Sequence, residues 1–221
     1  MICVGIQWRK VQMFGSETYK ILQGVGAIRR GHFVYTSGRH GDTYVDKNAL
    51  YTQRKYVSRL CRMMLMLLAY DRVEVVVGPA SGAVILANLT SFHISKHLKR
   101  RVRWVVAEKD GSGGFLIRPK DVPLIEGKRA LIVDDVTTTG KSLKKVVEVV
   151  RACGGDIIAA VVIVNRGAIQ ASDVGDVPRL EQLLRLEFES YPERTCYLCR
   201  QRIPINTNVG HGKEFLAQKR T

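Results

Sequence analysis

The stretch Leu131-Ile132-Val133-Asp134-Asp135-Val136-Thr137-Thr138-Thr139-Gly140-Lys141-Ser142 constrains this chain more than any other. Its apolar, β-branched start reads as a strand buried on both faces. That strand delivers two carboxylates at its C-terminal end, and a hydroxyl-rich, glycine-containing turn then opens a helix. Successive backbone N–H groups at a helix start, flanked by threonine and serine hydroxyls, suit a phosphate monoester. Asp134 and Asp135 suit vicinal ribose hydroxyls and hydrated magnesium, which takes oxygen ligands and keeps its water. Phosphate at one end and a diol at the other describe a 5-phosphoribosyl group. An ordinary strand-to-helix turn would account for the threonines as caps, but not for two carboxylates at a sheet edge. The spacing is not that of a Walker A loop, because the acidic pair precedes the turn and GxxxxGK is absent.

From Val73 onward, short β-branched runs alternate with amphipathic stretches, the pattern of a parallel sheet built from strand, helix, strand units. Strands are expected at Val73–Gly78, Val102–Ala107, Ala130–Val133, Ile157–Val164 and Leu183–Phe188, with helices near Ala83–Leu98 and Lys141–Ala152. The second helix carries Leu143, Val146, Val147 and Val150 on one face and Lys144, Lys145, Glu148 and Arg151 on the other. Before the sheet, a short helix is expected around Thr18–Val25, irregular or hairpin structure around Thr36–Gly41, and a helix from Lys55 to Tyr70. The organisation expected is an N-terminal elaboration (1–72), an α/β core (73–191) and a polar tail (192–221).

The formal net charge of +15 favours polyanions without choosing among nucleic acid, membrane surface and phosphorylated substrate. Its densest cluster, His93 to Arg103, reads as a helix end and the following turn rather than an RNA-binding patch, since no stacking aromatics are interleaved. The N-terminus lacks an apolar h-region, and the longest apolar run, Met63–Ala69, is too short to cross a bilayer. A cytoplasmic protein is expected. Five cysteines suit free thiols or a metal site better than a disulfide framework. Cys196 and Cys199 form a single CxxC. They read as reduced thiols closing a tight turn, or as half of a zinc site completed by His211 and a remote donor.

The acidic pair and threonine-rich loop resemble the phosphoribosyl pyrophosphate signature of the type I phosphoribosyltransferases. Within that class the chain, from about Ile21 to Tyr191, looks like the orotate phosphoribosyltransferases. Three further segments carry the likeness. His32-Phe33-Val34-Tyr35-Thr36-Ser37-Gly38-Arg39-His40 is similar to the FxLxSGRxS segment near the base-binding hood, with Thr36 where many of those enzymes have lysine. Gly78-Pro79-Ala80-Ser81-Gly82-Ala83 resembles the pyrophosphate loop. Ala107 to Phe115 falls where the family carries a mobile catalytic loop, here with Lys109 but without the second lysine and histidine of the common pattern. Arg118 or Lys120, or a residue of another subunit, would take their place.

The resemblance implies a mainly parallel five-stranded sheet flanked by helices, with an N-terminal hood. It implies Mg2+-dependent transfer of a phosphoribosyl group to orotate, giving orotidine 5'-monophosphate and pyrophosphate in pyrimidine synthesis, by a homodimer. Phosphoribosyl pyrophosphate would be held by Ser81, Gly82, Lys109 and the run Asp134, Asp135, Val136, Thr137, Thr138, Thr139, Gly140, Lys141 and Ser142. Thr138 and Arg166 would touch orotate, and Lys109, Asp134 and Asp135 would be catalytic. Two rival readings are a purine-base enzyme of the same class and a non-catalytic nucleotide-sensing regulator on the same fold.

Overall fold

The structure is a computed structural model that describes residues 14–80 and 82–219. Ser81, expected in the pyrophosphate loop, lies outside the described residues. In chain order the elements are helix α1 (14–24), strands β1 (Ile28–Val34) and β2 (His40–Val45), helices α2 (Lys47–Tyr51) and α3 (Arg54–Leu65), strand β3 (Val75–Pro79), helix α4 (Val84–Leu98), and strands β4 (Arg103–Lys109), β5 (Phe115–Leu116) and β6 (Arg129–Thr137). They continue with helix α5 (Lys141–Ala152), strands β7 (Asp156–Asn165) and β8 (Leu180–Arg185), and helices α6 (Tyr197–Arg200) and α7 (Gly212–Gln218). The chain divides into two compact units, one of residues up to Ile21 with Gln53–Leu186, the other of Leu22–Thr52 with Glu187 onward.

The first unit is built on a six-stranded sheet ordered β5-β4-β3-β6-β7-β8. The neighbours from β4 to β8 are parallel, and only the short β5 runs antiparallel, against the end of β4. The five expected strands are therefore present and a sixth, two-residue edge strand is added. The central parallel strands β3 and β6 carry apolar runs because helices cover both faces: Val75, Val76 and Val77 of β3 and Leu131, Ile132 and Val133 of β6 are fully buried. Helix α5 lays Leu143, Val146, Val147 and Val150 into the same core as Ala130 and Ile132 of β6. Truncating any one of the larger of these to alanine would cost about 2–5 kcal/mol.

Helix α5 has the bounds the sequence predicts. Helix α3 stops at Leu65, short of the expected Tyr70, and a 3-10 turn at Tyr70–Arg72 then leads into β3. The basic cluster ends α4 as expected, with Lys99 in the left-handed region after the last turn. Arg100 donates to the carbonyls of Asp71 and Val73 at 2.8 and 2.7 Å, so at least one of these cations ties loop backbone together. Among the described residues no helix is long and apolar enough to cross a membrane.

The sheet order fixes where a ligand can bind. From β3 the chain passes to β4 on one side, whereas from β6 it passes to β7 and β8 on the other, so β3 and β6 flank the point where the winding reverses. In open α/β sheets the crevice beyond the carboxyl ends of such a strand pair is the ligand site.

The second unit contains the antiparallel β1–β2 hairpin, whose register shifts between Arg30 and Phe33, and the C-terminal segment. Parallel bridging joins His32 to Ile205, and antiparallel bridging joins His40 to Tyr191.

Candidate active site

Gly78, Lys109, the run from Asp134 to Ser142 and Arg166 lie at or just beyond the carboxyl ends of their strands. Asp134 and Asp135 lie near the end of β6, 7% and 2% exposed. Successive strand residues project to opposite faces. Asp134 thus shares the α5 face with Ala130 and Ile132, and Asp135 takes the other. Each carboxylate accepts the next backbone N–H, Asp135 N at 2.8 Å from Asp134 Oδ1 and Val136 N at 2.7 Å from Asp135 Oδ1. These bonds hold both side chains against their own backbone at the strand end.

After the buried Thr137, the hydroxyl-bearing residues Thr138, Thr139 and Ser142 are exposed, as is Lys141. Gly140 turns the chain into α5 with φ 72° and no side-chain cap. Two constraints make glycine necessary there: the left-handed backbone, and a Cβ that would come within 3.0 Å of Val174 Cγ1 and 3.3 Å of the Asp173 carbonyl. The first intrahelical bond runs from Lys144 N to Gly140 O at 2.8 Å, so the N–H groups of Lys141, Ser142 and Leu143 head the helix with no i−4 partner inside it. A helix start carrying exposed hydroxyls and an uncapped first turn can take an anion.

On the adjoining strand, Gly78 lets β3 turn sharply toward α4, since a Cβ at that position would stand 2.7 Å from the Ala83 carbonyl. Gly82 follows in the turn, half-buried.

Arg166 follows β7 directly. Its N–H donates to the Thr137 carbonyl at 2.8 Å, which joins it to the loop that carries Thr138. Gly167 comes closer still: a Cβ there would lie 1.6 Å from the Thr138 carbonyl oxygen. Asn165, 1% exposed, organises this turn. Its Nδ2 donates to Ile169 O at 3.0 Å and Gln182 Oε1 at 3.1 Å, while its Oδ1 accepts from the N–H groups of Gly167 and Ile169 at 3.3 and 3.2 Å. Sequence reasoning missed Asn165 and Gly167. Their signal was the Asn-Arg-Gly run at a strand's end, where an amide side chain commonly satisfies turn backbone.

Lys109 ends β4, exposed, at the same edge. Beyond it the chain makes a tight hairpin into β5 around Asp110, whose Oδ1 accepts the N–H groups of Ser112 and Gly114, each at 2.8 Å. Those backbone bonds, Gly114's first and Ser112's next, hold the Asp110 carboxyl below its ordinary value. Gly111 and Gly113 have φ of 82° and 89°, and a Cβ on Gly114 would collide with Asp110 Oδ2. The glycines thus serve a tight turn. Arg118, a candidate substitute for the family's missing cations, is paired with Glu108, and Lys145 on α5 donates to the Gly113 carbonyl.

In the second unit Arg39 closes a turn in which Gly38 has φ 73°, and its guanidinium bonds the Ser190 hydroxyl and carbonyl. The two cysteines of the tail are brought together, but not with His211. That imidazole is exposed and lies 3.1 Å from Thr36 Oγ1. Cys196 and Cys199 instead meet His32 and His40. These histidines sit on the β1–β2 hairpin, more than 150 positions from the cysteines, so no local spacing could have linked them.

Residues 50–189 match the phosphoribosyl transferase domain family. The chain is 35% identical over 189 residues to the orotate phosphoribosyltransferase of Thermus thermophilus, covering 86% of this chain and 98% of that protein. It is 37% identical over 194 residues to the orotate phosphoribosyltransferase of Pelotomaculum thermopropionicum, covering 87% and 95%. The crystal structure of orotate phosphoribosyltransferase from Aeropyrum pernix is similar with a TM-score of 0.59 and 28% identity, over 76% of this chain and 93% of that one.

Proposed function

The chain belongs to the orotate phosphoribosyltransferase family, and we propose that it transfers the 5-phosphoribosyl group of phosphoribosyl pyrophosphate to orotate, releasing pyrophosphate. It is on this reading a pentosyl-transferring glycosyltransferase. The observation that carries the proposal is the convergence at the winding reversal: the β3 turn, the acidic pair with its phosphate loop, and Arg166 all leave the sheet at one edge.

In this reaction the bond from the ribose anomeric carbon to pyrophosphate breaks, a bond from that carbon to the orotate ring nitrogen forms, and that nitrogen's proton is lost to solvent. The protein's task is to orient the two and to stabilise charge. The N–H groups and hydroxyls from Thr137 to Ser142 hold the 5'-phosphate. Val136 supplies loop backbone. Asp134 and Asp135 accept hydrogen bonds from the ribose hydroxyls and, with their anionic charge, favour the oxocarbenium-like carbon. Their hard oxygen donors would help hold a magnesium ion, which would supply positive charge to offset that of pyrophosphate. Gly82 and its neighbours approach the pyrophosphate by backbone, and Lys109 neutralises it as it leaves. The planar guanidinium of Arg166 suits the orotate carboxylate, and Thr138 directly follows Thr137, whose carbonyl accepts the Arg166 N–H.

We take the active form to be a homodimer in which a neighbouring copy supplements the sparse cations around Lys109. The test is pyrophosphate release from the purified chain. Release that requires orotate, phosphoribosyl pyrophosphate and magnesium together supports the proposal, and no release under any of these conditions contradicts it.

A further inference from the structure

The transfer reaction makes no use of His32, His40, Cys196 and Cys199, yet the second unit buries them against one another. His32, His40 and Cys196 are 1%, 0% and 0% exposed. Each side chain offers one donor atom, and all four atoms lie within 4.8 Å of one another. His32 Nε2 stands 3.7 Å from each sulfur, and Cys199 Sγ stands 3.3 Å from His40 Nδ1. Zinc bound at about 2.0–2.1 Å to nitrogen and about 2.3 Å to sulfur sets tetrahedral donors about 3.3–3.8 Å apart. These three nitrogen–sulfur separations already have that spacing. The two nitrogens, 2.8 Å apart, need to open by only about half an ångström to reach it.

The rings are oriented for such an ion. His32 Nδ1 lies 2.7 Å from the Ile203 carbonyl, which can only accept, so Nδ1 carries the proton and Nε2 turns its lone pair into the cluster. A backbone carbonyl holding the far nitrogen is the usual outer support of a metal-bound imidazole. His40 Nε2 is buried with no hydrogen-bond partner among the described residues, so that ring's polar engagement is through Nδ1, inside the cluster. Both cysteines are free thiols. The donors also bridge what the chain separates: the histidines belong to the β1–β2 hairpin, and the cysteines flank the start of α6. Backbone bonds run alongside, from Asn206 N to His32 O and mutually between His40 and Tyr191. This unit's apolar core is small, chiefly Leu22, Phe33, Val34, Val45, Leu50 and Leu198, and small cores are stabilised by staples.

We propose that His32, His40, Cys196 and Cys199 hold a structural zinc ion that fastens the C-terminal segment to the β1–β2 hairpin. Two thiolates and two imidazoles select zinc over magnesium, and four protein ligands leave no open position for catalysis. On binding, each thiol releases its proton to solvent.

The test is metal analysis of the full-length wild-type chain, purified under reducing conditions without chelator, followed by cobalt titration of the zinc-depleted protein. One zinc per chain is expected, and cobalt should give the intense visible absorption of a tetrahedral ion with thiolate-to-metal charge transfer. Cys199→Ser and His40→Ala should each weaken zinc binding by more than about a hundredfold, the upper range for losing even an outer support. His211→Ala should bind as wild type does. The proposal is overturned by wild-type protein that takes up neither metal, by a cobalt spectrum without thiolate character, by a native Cys196–Cys199 disulfide, or by loss of zinc in His211→Ala. If the ligand variants do not fold, the wild-type titration decides alone.

Discussion

Gly167 is the position where the smallest change should do the most to the proposed chemistry. Its φ is not in the left-handed region, so alanine is acceptable to the backbone itself; only space forbids it. The added methyl would stand 1.6 Å from the Thr138 carbonyl oxygen, whereas ordinary contact begins at 3.4 Å, so one of the two loops must retreat by nearly two ångströms. Both loops carry proposed substrate contacts, Thr138 and the phosphate loop on one side and Arg166 on the other. A misplacement of about 1 Å in a positioning group can cost about a hundredfold in rate, or about 2.7 kcal/mol of transition-state stabilisation. Gly167 is exposed, so the change leaves the core intact and thermal unfolding should move little. Initial rates with orotate and phosphoribosyl pyrophosphate varied in turn should show kcat/KM for orotate reduced about a hundredfold. A variant with wild-type kcat/KM would refute the claim that this contact sets the geometry of the site.

Three more outcomes follow from the same structure. Lys109→Ala and Asp135→Asn should each lower kcat, by about 10²–10³ for the lysine if it stabilises leaving-group charge, with unfolding midpoints near wild type; unchanged rates in both would remove their assigned roles. Because the Asp110 carboxyl is held below its ordinary value of 3.8, its contribution to the turn is complete above that value and is lost as pH falls through the lowered one. The Ser112 and Gly114 amide resonances should therefore titrate below pH 3.8, and titration at or above it would contradict the turn's hydrogen bonding. Asn165→Ala strands the buried Ile169 carbonyl and the Gln182 side chain, at about 1–3 kcal/mol for each unsatisfied group, and should lower the unfolding midpoint measurably by calorimetry.

The parts of the fold that were legible in the sequence are those governed by local pattern. Strand β6, its acidic pair and helix α5 were readable because a buried strand, a glycine turn and an amphipathic helix each leave a signature within a few residues. Strand β8 was expected at Leu183–Phe188 and occurs at Leu180–Arg185. The start was hidden by Glu181, a charged residue that is 9% exposed and enters the strand because Arg179 pairs with it at 2.6 Å. Strand β5 is two residues long and has no periodicity to detect. The segment from Ala107 to Phe115 resembles a mobile loop of the family, and the backbone angles of Gly111 and Gly113 supply a further reason for its glycines, a turn wound about Asp110. The histidine partners of the CxxC were unreadable for a different reason. Their approach depends on hairpin and tail pairing through His32–Ile205 and His40–Tyr191, contacts that no local pattern encodes.

The most direct test of the central claim is base selectivity. Purified protein with phosphoribosyl pyrophosphate and magnesium should be offered orotate, uracil, adenine, guanine and hypoxanthine in turn, and each product followed by absorbance and chromatography. The account predicts that orotate is consumed with stoichiometric appearance of orotidine 5'-monophosphate and pyrophosphate, and that the purines are not. Turnover of a purine with none of orotate would contradict it.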